Sequence, residues 1–175
     1  SAGIDEIESK KLITDGSSIS NLKNNATEII TSLRDTIWAF NKESITLTGI
    51  SDRIKAYTQK IQPAYPQIRI SLEENINKEK QLSPVQALHI FRIVQEALQN
   101  ALRHSNCSEV LINIASHDGL TSIAVEDNGK GFDPEKVQNA GNGLINMKTR
   151  SVESGYTISF EKNTPTGAKV SIVGK

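Results

Sequence analysis

Apolar side chains follow two different periods along this chain. In residues 1–62 they recur mostly every three or four positions, as at Leu22, Ala26, Ile29, Leu33, Ile37 and Phe40, with Lys, Asn, Glu, Arg and Asp on either side. That spacing draws a stripe down one helix, the seam of a coiled coil or helix bundle. Ile30 and Trp38 widen it beyond a two-stranded seam and favour a bundle; an amphipathic helix packed on its own domain would carry the same stripe. Asp15-Gly16-Ser17-Ser18 punctuates the helix start, so residues 4–14 read as a second, shorter helix. A further helix is expected from Gly49 to Ile61, with Ile50, Ile54, Tyr57 and Ile61 on one face.

Pro63 and Pro66 close this region, because proline ends helices and pushes its predecessor toward extended geometry. The period then switches to two. Strands are predicted at Ile68-Ile70-Leu72, Val110-Ile112-Ile114, Ile123-Val125, Tyr156-Ile158-Phe160 and Val170-Ile172. A long helix separates the first two. Ser83 is its N-cap, Pro84 suits the first helical position and Gln86 completes a capping box. A shorter helix spans about Gly143–Ser154 and stops at Gly155, and Lys162–Gly167 forms a hairpin turn between the last two strands. Five strands and about three helices predict an α+β fold, a two-layer α/β sandwich with helices over one sheet face, preceded by a long helix.

Composition narrows the function classes. The 175 residues hold 20 Lys+Arg and 20 Asp+Glu, so overall charge favours neither nucleic acid nor an anionic membrane. No apolar run reaches the roughly 20 residues that span a bilayer. Cys107 stands alone, and no Cys/His spacing suggests zinc. These features predict a cytoplasmic protein without direct membrane contact from this segment.

Two polar clusters carry the chemistry. On the helix opened by Pro84, Glu96, Asn100 and Arg103 fall at i, i+4 and i+7 on one face, which His89 and Arg92 extend. Such a stripe is the solvated side of many surface helices, yet it would also suit magnesium triphosphate. Asn100 offers a hard oxygen ligand, and Arg103 and His104 offer donors to phosphate oxygens. The second cluster is Asp127-Asn128-Gly129-Lys130-Gly131, at the end of a strand. A short carboxylate there can accept from an adenine amino group, and Gly129 and Gly131 permit close backbone approach. A plain Asp-Asn-Gly hairpin turn is the alternative, but no strand pattern follows for more than twenty residues. Neither glycine run is a Walker A loop or a Rossmann fingerprint. Asn128 to Gly143 reads as a glycine-hinged lid leading into a helix whose N-terminus could receive phosphate.

Here a family resemblance becomes specific. HIFRIVQEALQNALRHS resembles the N-box of NarX/DesK/LiaS-like bacterial sensor histidine kinases, EDNGKGFD the first glycine box of the GHKL (Bergerat) ATP-binding fold, and GNGLINMKTR the second. The likeness implies ATP and Mg2+ as cofactors, Asn100 as the metal ligand and Glu96 as the catalytic residue beside the phosphoryl group. Arg103, His104, Asp127, Gly129, Gly131, Gly141, Gly143 and Leu144 become nucleotide-binding residues, with Asp127 reading adenine. Pro165-Thr166-Gly167-Ala168 resembles the third box, which usually has threonine where Ala168 stands.

NLKNNATEIITSLRDTIWAF is similar to the second helix of the family's dimerisation and phosphoacceptor hairpin. The resemblance thus implies residues 1–48 as a hairpin remnant and 49–175 as the catalytic domain. It also implies transfer of the ATP γ-phosphoryl to a histidine, relay to a response-regulator aspartate, homodimerisation through the N-terminal helix, and a parent protein that is either soluble or membrane-anchored. The acceptor histidine itself is not expected here. His89 and His104 belong to the nucleotide helix, and His117-Asp118 lies in a turn between strands. A GHKL serine kinase acting as an anti-sigma factor, a nucleotide-binding module without turnover, and a gyrase-, mismatch-repair- or chaperone-type ATPase are the rival readings.

Overall fold

The computed structural model describes the backbone of residues 2–131 and 142–175, and side chains except those of 2–17, 24 and 28. Gly141 and most of the expected lid lie outside the described residues. The chain divides into two compact units, Ser1–Asn41 and Lys42–Lys175, earlier than the 48/49 boundary expected from the sequence.

The first unit is a single helix, α1 (Ala2–Phe40). The break expected at Asp15-Gly16-Ser17-Ser18 does not occur, and residues 4–14 continue the same helix. One mid-helix glycine costs only about 1 kcal/mol relative to alanine, which a long helix absorbs. The apolar stripe stands open along it: Ile19, Leu22, Ile29, Ile30, Leu33, Ile37 and Phe40 are all exposed.

The second unit opens with β1 (Ile45–Thr46) and α2 (Leu47–Ile61). Helix α2 begins two residues before the expected Gly49, because the Thr46 hydroxyl caps it by accepting from Gly49 N. Glu79 reinforces that end, its carboxylate accepting from both the Thr48 hydroxyl (2.6 Å) and the Thr48 amide (3.1 Å). Burial pushes the Glu79 carboxyl upward, but these bonds outweigh it and leave the group below its ordinary value.

Strands β2 (Arg69–Ile76), β4 (Glu109–His117), β5 (Leu120–Asp127), β6 (Thr157–Lys162) and β7 (Ala168–Gly174) form one sheet in the order β2-β4-β5-β7-β6. Only β2 and β4 run parallel. The connection between them holds β3 (Gln81–Leu82), which pairs with β1, and α3 (Pro84–His104). The capping box at α3 is as read from the sequence: Ser83 Oγ accepts from Gln86 N, and Gln86 Oε1 accepts from Ser83 N. Helix α4 (Asn142–Glu153) ends at Gly155, whose φ of +75° closes a C-terminal turn in which Tyr156 N reaches Ser151 O.

One sheet face is apolar and covered. Val110, Ile112 and Ile114 of β4 are fully buried, together with Ile123, Val125 and Ile172 from the neighbouring strands. From α3, Ile90, Phe91, Val94, Ala97 and Leu98 fill the same core, and each large side chain contributes about 1.5–3 kcal/mol by leaving water. The alternate residues of β4, Leu111, Asn113 and Ala115, are only half-buried. This is the predicted two-layer α+β sandwich.

An ion pair fastens α2 to the edge strand β2, with Lys55 Nζ 2.6 Å from Glu74 Oε2. That hydrogen bond holds Glu74 below its ordinary value of 4.5 and Lys55 above 10.5. The carboxylate's contribution is therefore present above the unfolded value and fades as pH falls through its lowered folded value. The ammonium's contribution is complete below its unfolded value and fades as pH rises through its raised folded value. Because the pair is partly exposed, Glu74→Gln is expected to cost no more than about 1 kcal/mol in thermal unfolding at neutral pH. The difference from the parent should vanish in strong acid.

Candidate functional site

Helix α3 exposes one polar row between its buried faces. Glu96, Asn100 and His104 succeed one another at four-residue steps and line a cavity of about 460 Å³, large enough for a nucleotide. Ala97 and Ala101 stand beside them, and their small side chains leave room above the helix. The opposite wall is apolar. Val125 on β5, Val170 on β7 and Phe160 on β6 are cross-strand neighbours in one continuous row, a flat surface suited to a planar ring.

Asp127 terminates that row, two residues beyond Val125 on the same face, and is only 6 % exposed. Its Oδ1 accepts from Gly129 N at 2.8 Å. Oδ2 has no donor among the described residues. A carboxyl oxygen that opens beside an apolar slot can accept from a donor on a ligand seated there.

The loop after Asp127 is held from two sides. Asn128 Oδ1 accepts from the amides of Ser108 and Glu109, and its Nδ2 donates to Ser108 Oγ, each at 3.0 Å. Lys130 N donates to Ser105 O at 2.8 Å. A Cβ at Gly129 would collide with that same carbonyl, so Gly129 serves backbone packing against the end of α3 and does not itself line the cavity. On the other flank Asn163 Nδ2 donates to Asp127 O at 3.0 Å and Thr166 Oγ1 to Asn128 O at 3.3 Å. Gly167 sits at φ +114°, where a Cβ would overlap Asp127 O. The β6–β7 turn is thus packed onto the backbone that carries Asp127.

The structure therefore gathers Glu96, Asn100, His104, Asp127, Gly131, Gly143 and Leu144 around one space. Arg103 is exposed and does not line the cavity, and Gly141 is outside the described residues. Sequence reasoning overlooked Lys130, Asn142, Phe160 and Val170 as lining residues. Lys130 lies inside the glycine motif, and as a cation amid glycines it was the available signal. At the far end of α3, His89 lies outside the cavity lining, its Nδ1 3.2 Å from Glu153 Oε2 of α4 but without hydrogen-bond geometry. His117 is 73 % exposed and faces Asp118 in the β4–β5 turn, where Asp118 and Gly119 both have positive φ, as expected.

Residues 85–173 match the family model described as "Histidine kinase-, DNA gyrase B-, and HSP90-like ATPase". The chain belongs to this family. It is 36% identical to the sensor protein VraS of Staphylococcus aureus over 84 residues, covering 48% of this chain and 24% of that protein. The chain therefore spans only about a quarter of the length of the curated relatives it matches. In fold it is similar to the histidine kinase domain of the Erythrobacter litoralis EL346 blue-light activated histidine kinase, with a TM-score of 0.62 at 18% identity over 81% of this chain and 73% of that one. It is likewise similar to the ATP-binding domain of PrrB from Mycobacterium tuberculosis, with a TM-score of 0.60 at 22% identity over 74% and 95% of the two chains. The sandwich thus has the GHKL fold, and its likenesses in sequence and in fold are to sensor histidine kinases. Among the described residues no helix is long and apolar enough to cross a membrane.

Proposed function

We propose that the cavity binds ATP with magnesium and donates the γ-phosphoryl to a histidine nitrogen carried on another helix. The observation that carries the reading is the buried Asp127 carboxylate, with Oδ2 open beside the Val125–Val170–Phe160 row. Adenine's amino group would donate to that oxygen while its ring lies along the apolar row. Asn100 and His104, one and two helical turns beyond Glu96, would meet the phosphates together with Lys130.

Among the described residues no group of three or more His, Cys, Asp or Glu could hold a metal by itself. Magnesium does not need one, since it commonly binds through one or two protein oxygens plus substrate phosphates and water. The Asn100 carboxamide fits that role, and the bound ion would neutralise phosphate charge. Glu96 would then stand beside the transferring group, with positioning and charge neutralisation supplying most of the rate. In the intact protein a response-regulator aspartate would take the phosphoryl next. The exposed apolar stripe of α1 supports homodimerisation as a helix bundle with a second copy.

The chain alone should bind nucleotide yet not label itself. His104 is fixed on α3 at the proposed phosphate end, His89 is half-buried beside Glu153 of α4, and His117 ends β4 at the turn into β5. Incubation with γ-labelled ATP should leave the isolated chain unlabelled, whereas adding a separate domain with the acceptor helix should produce acid-labile label on that domain. Acid-labile label on the isolated chain, lost on His117→Ala, would overturn this and make His117 the acceptor.

A further inference from the structure

Gly143 owes its identity to a side chain on another helix. No positive φ requires glycine there, yet a Cβ at this position would collide with Oε1 of Glu96 and lie 3.1 Å from its Cδ and 3.6 Å from its Cγ. The Glu96 carboxylate therefore rests on the bare backbone of the first turn of α4. That end of a helix carries unpaired amides and the positive end of its dipole, which favour a carboxylate. Glu96 is half-buried, and among the described residues the Gly143 backbone lies directly against its carboxylate.

We infer that Gly143 is a positioning residue for Glu96: its missing side chain lets the first turn of α4 close on the carboxylate and hold it in the row with Asn100. This rests on the ATP-kinase reading and deepens it, because Gly143 then acts on the transfer step through Glu96 and is more than a place for phosphate to approach. The atoms in the way of a Cβ are the far end of a flexible side chain. A methyl group should therefore displace the carboxylate and leave the fold intact.

Three measurements on the whole chain test this. Gly143→Ala should unfold at the parent temperature, and transfer to the supplied acceptor domain should fall about tenfold or more, well beyond any loss of ADP binding and mainly in kcat. Adding Glu96→Ala to Gly143→Ala should cost almost nothing further, because the two changes remove the same arrangement. In the nucleotide-free chain, Glu96→Gln should shift the amide resonances of Asn142, Gly143 and Leu144 in the parent and not in Gly143→Ala.

Parental transfer rates in Gly143→Ala, losses that multiply with those of Glu96→Ala, or loss of ADP binding equal to the loss of transfer would each overturn the inference. If the parent chain bound no ADP, the ATP reading would fail, and the amide shifts alone would decide whether α4 holds Glu96.

Discussion

Asp127→Asn is expected to weaken ADP binding by about 1–3 kcal/mol, roughly five- to 150-fold, with the fold unchanged. Asparagine keeps a carbonyl oxygen that can still accept from Gly129 N, so the turn that Asp127 Oδ1 now closes at 2.8 Å should survive. The amide nitrogen is then left facing the slot, where it meets the adenine amino group donor to donor. Calorimetry with ADP and with IDP separates this effect from general damage. A hypoxanthine ring presents an acceptor where adenine presents a donor, so IDP should lose less than ADP and the preference between them should narrow or invert. Equal affinity of parent and variant for ADP would sink the adenine assignment.

The elements that were legible in the sequence are those whose signals are local. The start of α3 is written in four consecutive residues, Ser83 to Gln86, because a capping box satisfies its own amides. The β4–β5 turn and the end of α4 are similarly declared by Asp118-Gly119 and Gly155, which take the positive φ that such turns need. The β1–β3 pair was invisible for the opposite reason. Each strand is two residues long, and Ile45 meets Leu82 only after α2 and β2 have been placed. Helix α1 ran through a glycine and two serines because a helix tolerates one poor former more readily than a local reading supposes.

The site divides along the same line. Glu96, Asn100, Asp127, Gly131 and Gly143 stand out in the sequence because chemistry and spacing advertise them, and all five line the cavity. Phe160 and Val170 read as ordinary strand residues, and only the β5–β7–β6 register brings them beside Asp127. Gly167 was read as part of a turn and of the segment that resembles the third box. Its required conformation follows from the carbonyl of Asp127, 40 residues earlier, and long-range packing of that kind leaves no periodic trace. Arg103 shows the converse limit. Seven residues after Glu96 it falls on the same helical stripe, yet the wall continues through His104, because the stripe drifts around α3 and the cavity follows the i+4 row.

Asn100→Ala should separate metal from base. Its carboxamide lines the cavity one turn beyond Glu96, on the opposite side from the Val125–Val170–Phe160 row. Removing it therefore leaves the adenine slot untouched. Magnesium holds its ligands in near-octahedral geometry and surrenders water reluctantly, so the loss of one protein oxygen uncouples the ion from the protein even though ATP still carries it. ATP affinity measured with magnesium should drop toward the value measured with a chelator present, by about 1–3 kcal/mol. Adenosine, which has no phosphate to share with the ion, should bind parent and variant alike. Phosphoryl transfer to a supplied acceptor should fall further than affinity does, since a charge-neutralising group contributes most where charge develops in the transition state. A variant that titrates magnesium as the parent does would place the metal elsewhere in the cavity, with His104 and Lys130 then left to meet the phosphates without it.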